Sequence, residues 1–311
     1  MNKGFVIIVT YNGMKWIEEC LKSVLNSSVS TSIIVIDNNS SDDTVLFIKE
    51  KFSDVILLEQ KHNLGFGKAN NLGMSYALKE DADFVFLLNQ DAFLEQKTIE
   101  NLLNSAQINP DFGILSPIQL EYSGKFLEYY FYKFMTEDNS RAFFSDFVLK
   151  QDIKSVYDID FIQAAAWFLP IDTVKKIGGF DPIFYHYGED NNYCQRVKFH
   201  QMNIGVVPNS FIRHDSHKPK KVDHKLFSEK YFDNYLRGVY FTYANINNAF
   251  GKNEINKELK KSYKLLVRSF LRLNFTKVFG YVKQIRLFKN KIEDINNSRA
   301  MNKKIHINHL N

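Results

Sequence analysis

The stretch Asp83-Phe84-Val85-Phe86-Leu87-Leu88-Asn89-Gln90-Asp91-Ala92-Phe93 constrains the fold more than any other part of the chain. The apolar run from Phe84 to Leu88 is too short to span a membrane. It suits a strand buried on both faces of a parallel sheet. The run stops abruptly at Asn89-Gln90-Asp91. In an open α/β sheet, ligands gather beyond the carboxyl ends of the strands. An acid at that edge, just past an amide, is well placed to hold a divalent cation or a ribose. Asn and Asp also make plain strand-end turns, so the rest of the chain must decide between these readings.

The residues before it repeat one pattern. Gly4 to Val9 reads as a first buried strand, followed by the loop Thr10-Tyr11-Asn12-Gly13 and helical spacing from Met14 to Leu25. Ser32 to Ile36 is a second strand, closed by Asp37-Asn38-Asn39-Ser40-Ser41-Asp42-Asp43. Ser41 or Asp42 can cap the helix that follows, Thr44 to Phe52. Val55 to Leu58 is a third strand. The glycine-containing loop from Asn63 to Gly73 runs into a helix ending near Lys79. Strands alternating with helices in this way imply right-handed crossovers and a parallel sheet.

Beyond Asp91 the pattern is less regular. Thr98 to Gln107 looks helical, Gly113 to Pro117 resembles a short strand, and Phe161 to Pro170 reads as another. Residues 120–150 are crowded with Tyr and Phe, which either build a satellite core or wall an acceptor site. From about residue 222 helical spacing takes over, with helices expected over Leu226 to Ile246 and Ile255 to Lys291.

Charge divides the chain in the same place. Residues 1–217 carry 19 Lys and Arg against 28 Asp and Glu, while residues 218–311 carry 21 against 7. A basic tail on an acidic body is drawn to something anionic, lipid head groups or nucleic acid. The segment from Ile255 mixes Leu265, Leu266, Phe270, Leu273, Phe279 and Val282 with Lys264, Arg268, Arg272, Lys277 and Arg286. Such a stretch either lies on an anionic membrane surface or packs on the main domain with a solvated basic face. No nucleic-acid motif accompanies it. The two cysteines, Cys20 and Cys194, lie far apart. Neither sits in a CxxC pair, which argues against a disulfide framework or a zinc site and fits a reducing cytosol.

Four loops leave four strand ends: Thr10-Tyr11-Asn12, Asp37 to Asp43, Asn63 to Lys68 and Asn89 to Asp91. They converge on one face, which a nucleotide requires. Asp37 can accept hydrogen bonds from a base or ribose, and amides of the first loop can face phosphate. There is no GxGxxG after the first strand and no GxxxxGK[ST], so dinucleotide oxidoreduction and P-loop hydrolysis lose support. A second constellation is Gly178-Gly179-Phe180-Asp181 followed by Gly188-Glu189-Asp190. Acids in a first helical turn are favoured by the macrodipole. As a functional group, one of them is a general base within reach of an acceptor hydroxyl. His214 follows an apolar strand-like run, where imidazole can complete a carboxylate metal site.

Taken together, Val9-Thr10-Tyr11-Asn12, Ile36-Asp37-Asn38-Asn39-Ser40-Ser41-Asp42, Asn63-Leu64-Gly65-Phe66-Gly67 with Asn70, Leu88-Asn89-Gln90-Asp91, Ile177-Gly178-Gly179-Phe180-Asp181, Gly188-Glu189-Asp190 with Arg196, and Val207-Pro208 leading to His214 resemble a family 2 glycosyltransferase of the GT-A fold, in its rhamnosyltransferase-like branch. Their order over about residues 4–217 carries the resemblance. It implies a mostly parallel Rossmann-like α/β sheet flanked by helices, with residues 1–220 as the transferase domain. Within that domain, residues 1–95 form the nucleotide-sugar half and residues 96–220 the acceptor and catalytic half. Residues 221–311 form a basic helical extension.

The resemblance implies an inverting transfer of one sugar, from dTDP-rhamnose or a UDP-hexose to a glycan or lipid-linked glycan. Asp190, with Glu189 beside it, resembles the catalytic base. Thr10, Tyr11, Asn12, Asp37, Asn39, Gly65, Phe66, Asn70, Asn89, Gln90 and Asp91 resemble donor contacts. Trp167 and Arg196 fall on the acceptor side. Asp91 and His214 resemble ligands for Mg²⁺ or Mn²⁺. The expected location is cytoplasmic, peripheral on the inner face of the plasma membrane, in cell-surface polysaccharide synthesis such as that of an O-antigen. Two positions depart from the pattern: Asn89 stands where a fuller metal motif has an acid, and Asn192 where relatives often have Asp. The Gln-x-x-Arg-Trp motif of processive members is missing, since Val197 follows Arg196. Two other classes compete, a non-catalytic nucleotide-binding scaffold and a nucleotidyltransferase that releases pyrophosphate.

Overall fold

The computed structural model describes residues 3–135, 140–185, 187–216 and 225–310. Strand β1 (Gly4–Thr10) leads through helix α1 (Ile17–Leu25) to β2 (Ser32–Asp37), α2 (Thr44–Lys51), β3 (Ile56–Glu59), α3 (Phe66–Lys79) and β4 (Phe84–Asn89). These four strands are parallel, in the order β3-β2-β1-β4. Their sequences are apolar on both faces, and both faces are covered. Phe5 and Ile7 point into one apolar cluster with Ile34, Val85 and Leu87, while Val6 and Ile8 join Ile33, Val35, Phe86 and Leu88 in the other. Each such side chain, fully buried, stabilises the fold by about 1.5–3 kcal/mol. Helix α3 lies close on β1: a Cβ at Gly73 would meet Ile7 Cγ2 at 2.5 Å.

The chain then adds β5 (Ala92–Leu94), α4 (Thr98–Ile108), β6 (Phe112–Glu121), α5 (Tyr129–Met135), α6 (Arg141–Leu149), β7 (Tyr157–Ile159), β8 (Ala166–Pro170), α7 (Ile171–Ile177), α8 (Glu189–Phe199) and β9 (Asn203–His214). The sheet continues β4-β8-β6-β9-β5, with β7 also on β9. Here it turns mixed: β8 runs antiparallel to both β4 and β6, and β9 runs parallel to β6. The stretch expected as one strand from Phe161 is a loop as far as Ala165, and the strand starts at Ala166. In the aromatic stretch, Phe131, Met135 and Phe143 are buried in the main core, so these are packing residues.

Among the described residues the chain falls into two compact units, residues 1–218 with 305–311, and residues 219–304. The boundary expected at residue 220 lies outside the described residues. The expectation that residues 305–311 belong with the basic helices is corrected, because this segment is part of the first unit. The Gly179 amide donates to the Asn308 carbonyl (2.8 Å), Asn71 Nδ2 donates to the His309 carbonyl (3.1 Å), and Leu310 packs on the core. Burial there pulls the His309 imidazole down to about 4.

The second unit contains α9 (Glu229–Tyr243), α10 (Lys252–Leu271) and α11 (Phe275–Asn302). The single helical segment expected from Ile255 to Lys291 is therefore two helices, interrupted at residues 272–274. Gln284 Nε2 donates to Ser262 Oγ (3.1 Å), and the Arg299 guanidinium donates to the carbonyls of Tyr243 (2.9 Å), Asn245 and Asn248 (2.7 Å). No helix among the described residues is long and apolar enough to cross a membrane.

Candidate active site

A cleft of about 590 Å³ opens at the carboxyl ends of β1, β2 and β4, lined by Val9, Tyr11, Asn38, Asn63, Gly65, Phe66, Asn89, Gln90, Asp91, Tyr185 and Tyr187. Of the donor contacts expected from the sequence, Tyr11, Gly65, Phe66, Asn89, Gln90 and Asp91 line it. Thr10, Asn12, Asp37, Asn39 and Asn70 are not among its lining residues.

Thr10, Asn12, Asp37 and Asn70 shape the loops and the helix around the cleft, and Asn39 is exposed at φ 68° in the loop after β2. Gln90 Oε1 accepts from Thr10 Oγ1 (2.6 Å) and the Tyr11 amide (3.0 Å), and its Nε2 donates to the Tyr11 carbonyl (3.3 Å). The end of β4 thereby holds the loop after β1. Thr10 is fully buried, so its hydroxyl positions Gln90 and does not face the cleft. Asn12, at φ 49°, donates its amide to Ser40 Oγ (2.9 Å) and accepts from the Ser41 amide (2.8 Å), joining the first loop to the second. Asn70 is buried within α3 and returns its Nδ2 to the Phe66 carbonyl (3.0 Å), so it shapes the helix start. Asp37 Oδ2 accepts from the Ser40 amide (3.0 Å), while its buried Oδ1 has no hydrogen-bond partner. A carboxylate oxygen left so is an acceptor waiting for a donor.

Asn38 and Asn63 were missed as site residues. Asn38 is buried and grips the glycine loop: its Nδ2 donates to the Gly65 carbonyl (3.2 Å) and its Oδ1 accepts from the Leu64 amide (3.1 Å). Asn63 Oδ1 accepts from the Gly65 amide (2.8 Å). Gly65 itself has φ 80°, and a Cβ there would meet the Tyr185 carbonyl at 2.4 Å. Positive φ plus a touching backbone leave room for glycine alone. Local turn chemistry in Asn63-Leu64-Gly65 was a readable signal for this loop, whereas Asn38 offers none until its partner loop is known.

Sheet register brings Asp91 to His214. Strand β5 pairs antiparallel with β9, Ala92 opposite His214. His214 Nε2 lies 3.3 Å from Asp91 Oδ1, and its buried Nδ1 has no partner. The Asp91 carbonyl also accepts from the Asp215 amide (2.9 Å), and Asp215 in turn accepts from Trp16 Nε1 (2.7 Å) and Lys15 Nζ (2.7 Å) on the segment leading into α1. Asp91 and His214 are thus neighbours in space. Among the described residues, no group of three or more His, Cys, Asp or Glu side chains is arranged to hold a metal.

The opposite rim is the segment that enters α8. Tyr185 and Tyr187 line the cleft and are more than half exposed. Asn71 fixes the start of this segment, with Oδ1 accepting from the Phe180 amide (2.7 Å) and Nδ2 donating to the Phe180 carbonyl (2.8 Å). Gly188, at φ 103°, admits the chain to the helix, whose first residues are Glu189 and Asp190. Glu189 is buried; Asp190 is half-buried, and its Oδ1 accepts from the Asn191 amide (2.7 Å). Burial pushes the Asp190 carboxyl above the ordinary Asp range, opposed by the hydrogen bonds from Asn191 and from the amides of Asp190 and Ala164. Ala164 lies in the loop before β8, so that loop reaches Asp190.

Trp167 and Arg196 require correction as acceptor contacts. Both are fully buried. Trp167 sits mid-strand in β8 against Phe180 and Tyr193. The Arg196 guanidinium donates to the carbonyls of Ile177 (3.0 Å) and Gly179 (2.6 Å) and to Asn192 Oδ1 (3.1 Å), and it lies over the Tyr193 ring. It satisfies the carbonyl end of α7 and sets the geometry of the Gly178-Gly179 turn. Burial draws it below the usual Arg range. Glu128, which the sequence did not single out, is buried between β6 and α5. It accepts from the Phe131 amide (2.7 Å), Gln163 Nε2 (2.9 Å) and the Ser216 hydroxyl, and so joins the segment after His214 to the loop before β8.

Solved proteins share this architecture. A S. aureus TarS structure, residues 1–349 in complex with UDP, matches with a TM-score of 0.52 at 15% identity, over 97% of this chain and 89% of that one. GalNAc-T7 with UDP, GalNAc and Mn²⁺ matches with a TM-score of 0.56 at 13% identity, over 85% of this chain and 55% of that one. Such identities define a fold, and the fold is that of the GT-A glycosyltransferases.

Residues 5–164, just over half of the chain, match the Glycosyl transferase family 2 model, and the chain belongs to that family. The glycosyltransferase SunS of Bacillus subtilis strain 168 is 32% identical over 120 residues, which is 38% of this chain and 27% of SunS. The match therefore spans only about a quarter of that relative. Rhamnosyltransferase WbbL of Escherichia coli K12 is 22% identical over 256 residues, 76% of this chain and 90% of WbbL.

Proposed function

We propose that the protein is an inverting glycosyltransferase. It moves one sugar from a nucleotide-diphospho sugar, dTDP-rhamnose or a UDP-hexose, to a hydroxyl of a glycan or lipid-linked glycan during cell-surface polysaccharide synthesis such as that of an O-antigen. The observation that carries this reading is the cleft itself. Its one rim ends in the Asp91–His214 pair, and its other is the Tyr185–Tyr187 segment leading into Glu189-Asp190. Relatives named as rhamnosyltransferase WbbL and poly(ribitol-phosphate) beta-N-acetylglucosaminyltransferase TarP support the class of reaction.

The donor lies along the strand ends, with the unpartnered Asp37 Oδ1 taking a hydrogen bond from the base or ribose. Asp190 accepts the proton of the acceptor hydroxyl. The oxygen attacks the anomeric carbon opposite the diphosphate, and the bond from that carbon to the diphosphate oxygen breaks. The nucleoside diphosphate leaves with the electron pair, and one displacement inverts the centre. The transition state has oxocarbenium character. Asp91 and His214 fit Mg²⁺ or Mn²⁺, since such ions take one or two protein ligands and complete their shell with substrate phosphates and water. When bound, the ion would neutralise charge on the departing diphosphate.

The test is a thermal-shift and turnover screen with UDP-, GDP- and dTDP-sugars, with and without Mn²⁺. One nucleotide class should raise the melting temperature and, with acceptor, release nucleoside diphosphate. Pyrophosphate release would assign a nucleotidyltransferase. Binding without sugar loss, whatever acceptor is offered, would assign a scaffold. Either result ends the proposal.

A further inference from the structure

The connection between α10 and α11 is a closed turn with its apolar side chains facing water. The Leu273 amide donates to the Phe270 carbonyl (2.9 Å), the Asn274 amide to the Ser269 carbonyl (3.0 Å), and Asn274 Oδ1 caps α11 through the Lys277 amide (3.1 Å). Every residue from 270 to 277 is exposed. Phe270, Leu271, Leu273, Phe275 and Phe279 are between 54% and 76% exposed. A fixed turn that holds so many large apolar groups in water marks an interaction surface. Leu273 sharpens the point. It sits at φ 55°, where glycine is the low-strain residue. Backbone geometry alone would favour glycine here, and the chain presents a leucyl side chain.

The charge around this turn has one sign. Between Glu258 and Glu293 the sequence carries ten Lys and Arg residues and no acid. A nucleic acid would match the cations but leave Leu271 and Leu273 in water. An apolar protein groove would match the leucines but desolvate Arg272 and Lys277 without partners. An anionic bilayer surface accepts both: apolar groups enter the head-group boundary to about 5–10 Å, and cations stay among the lipid phosphates.

We propose that the α10–α11 turn, Phe270 to Phe279, is a membrane-docking tip that inserts its Phe and Leu side chains into an anionic lipid surface while Arg268, Arg272 and Lys277 bind the head groups. This goes beyond the sugar-transfer reading and stands or falls apart from it, since no residue of the cleft is involved.

The test is flotation of the full chain with vesicles of phosphatidylcholine alone or mixed with phosphatidylglycerol. The protein should float with the mixed vesicles at low salt and not with phosphatidylcholine alone. Arg272→Gln and Lys277→Gln should each lower partitioning roughly fivefold. Leu273→Gly relieves the positive φ, so it should melt no lower than wild type yet float less. Phe275→Trp should add an emission component that shifts to the blue only with the mixed vesicles. Donor turnover on a soluble acceptor should be unchanged in all of these. The proposal is overturned if the wild type stays unbound at low salt, or if a Leu271→Ser/Leu273→Gly variant floats as well as wild type. It is equally overturned if that variant loses only a concentration-dependent dimer or an interaction with nucleic acid.

Discussion

The two rims of the cleft are held by unlike means. On the Asp91 side, polar side chains bond to neighbouring backbone: Gln90 to Tyr11, Asn12 to Ser41, Asn38 to Leu64 and Gly65. On the Asp190 side, the chain enters α8 through positive φ at Tyr187 and Gly188, and its tyrosines stay exposed. The first rim is cross-linked by its own side chains. The second presents exposed aromatic surface. Under the proposed reaction, the constant half of the substrate would meet the cross-linked rim and the variable half the open one.

Breaking the open rim should have the largest effect. Asp190→Asn should lower turnover by about 10²–10⁴-fold, the range for a general base, while donor binding by calorimetry stays near wild type. Turnover near wild type in that variant would remove Asp190 from the role. Gly65→Ala strikes the point where the rims touch. Its Cβ would press on the Tyr185 carbonyl at positive φ, and urea unfolding should show a loss of about 1–3 kcal/mol; an unchanged midpoint would show that the rims are not locked there. Gln90→Ala leaves the Thr10 hydroxyl and the Tyr11 amide without their partner. Because Tyr11 is partly solvated, the cost should be about 1 kcal/mol, with a raised donor KM and little change in kcat. Equal loss in both parameters would give Gln90 a part in the chemistry.

The finest probe is pH. Asp190 must be ionised to act as a base, and burial raises its carboxyl. The acid limb of kcat/KM should therefore lie above the ordinary Asp value of about 4, and the Asp190→Asn variant should lack it. Stability carries the opposite sign. The unfolded chain ionises Asp190 first, so the folded state loses stability as pH rises from the unfolded value to the raised one. Above that window Asp190→Asn should be the more stable protein, and below pH about 4 the two should coincide. Identical pH–stability curves would place the carboxyl in open water.

The parallel half was legible because each strand is an apolar run ended by polar residues, as in Phe84 to Asn89. Asp91 and Asp37 were legible as acids at strand ends. What Gln90 does was not, because its partners lie 79 and 80 residues earlier in the chain. Arg196 misled because arginine is seldom buried. The carbonyls at the end of α7 supply acceptors that a helix terminus otherwise leaves open, and those partners appear only when α7 and α8 pack. The α10–α11 break escaped notice because Leu273 takes the left-handed conformation without a glycine to announce it. The strand over-read at Phe161 is small and apolar, yet its Ala164 amide is turned toward Asp190.

The return of residues 305–311 to the first unit alters what a truncation means. A premature stop anywhere in the helices would delete Leu310 and the Asn308 carbonyl as well, uncapping Gly179 and baring core surface beside Phe180. Shortened chains would then misfold or idle for reasons unrelated to the helices they lack. Removing residues 219–304 as an internal loop, with the last segment rejoined by a flexible linker, is the cut that respects how this polypeptide is threaded.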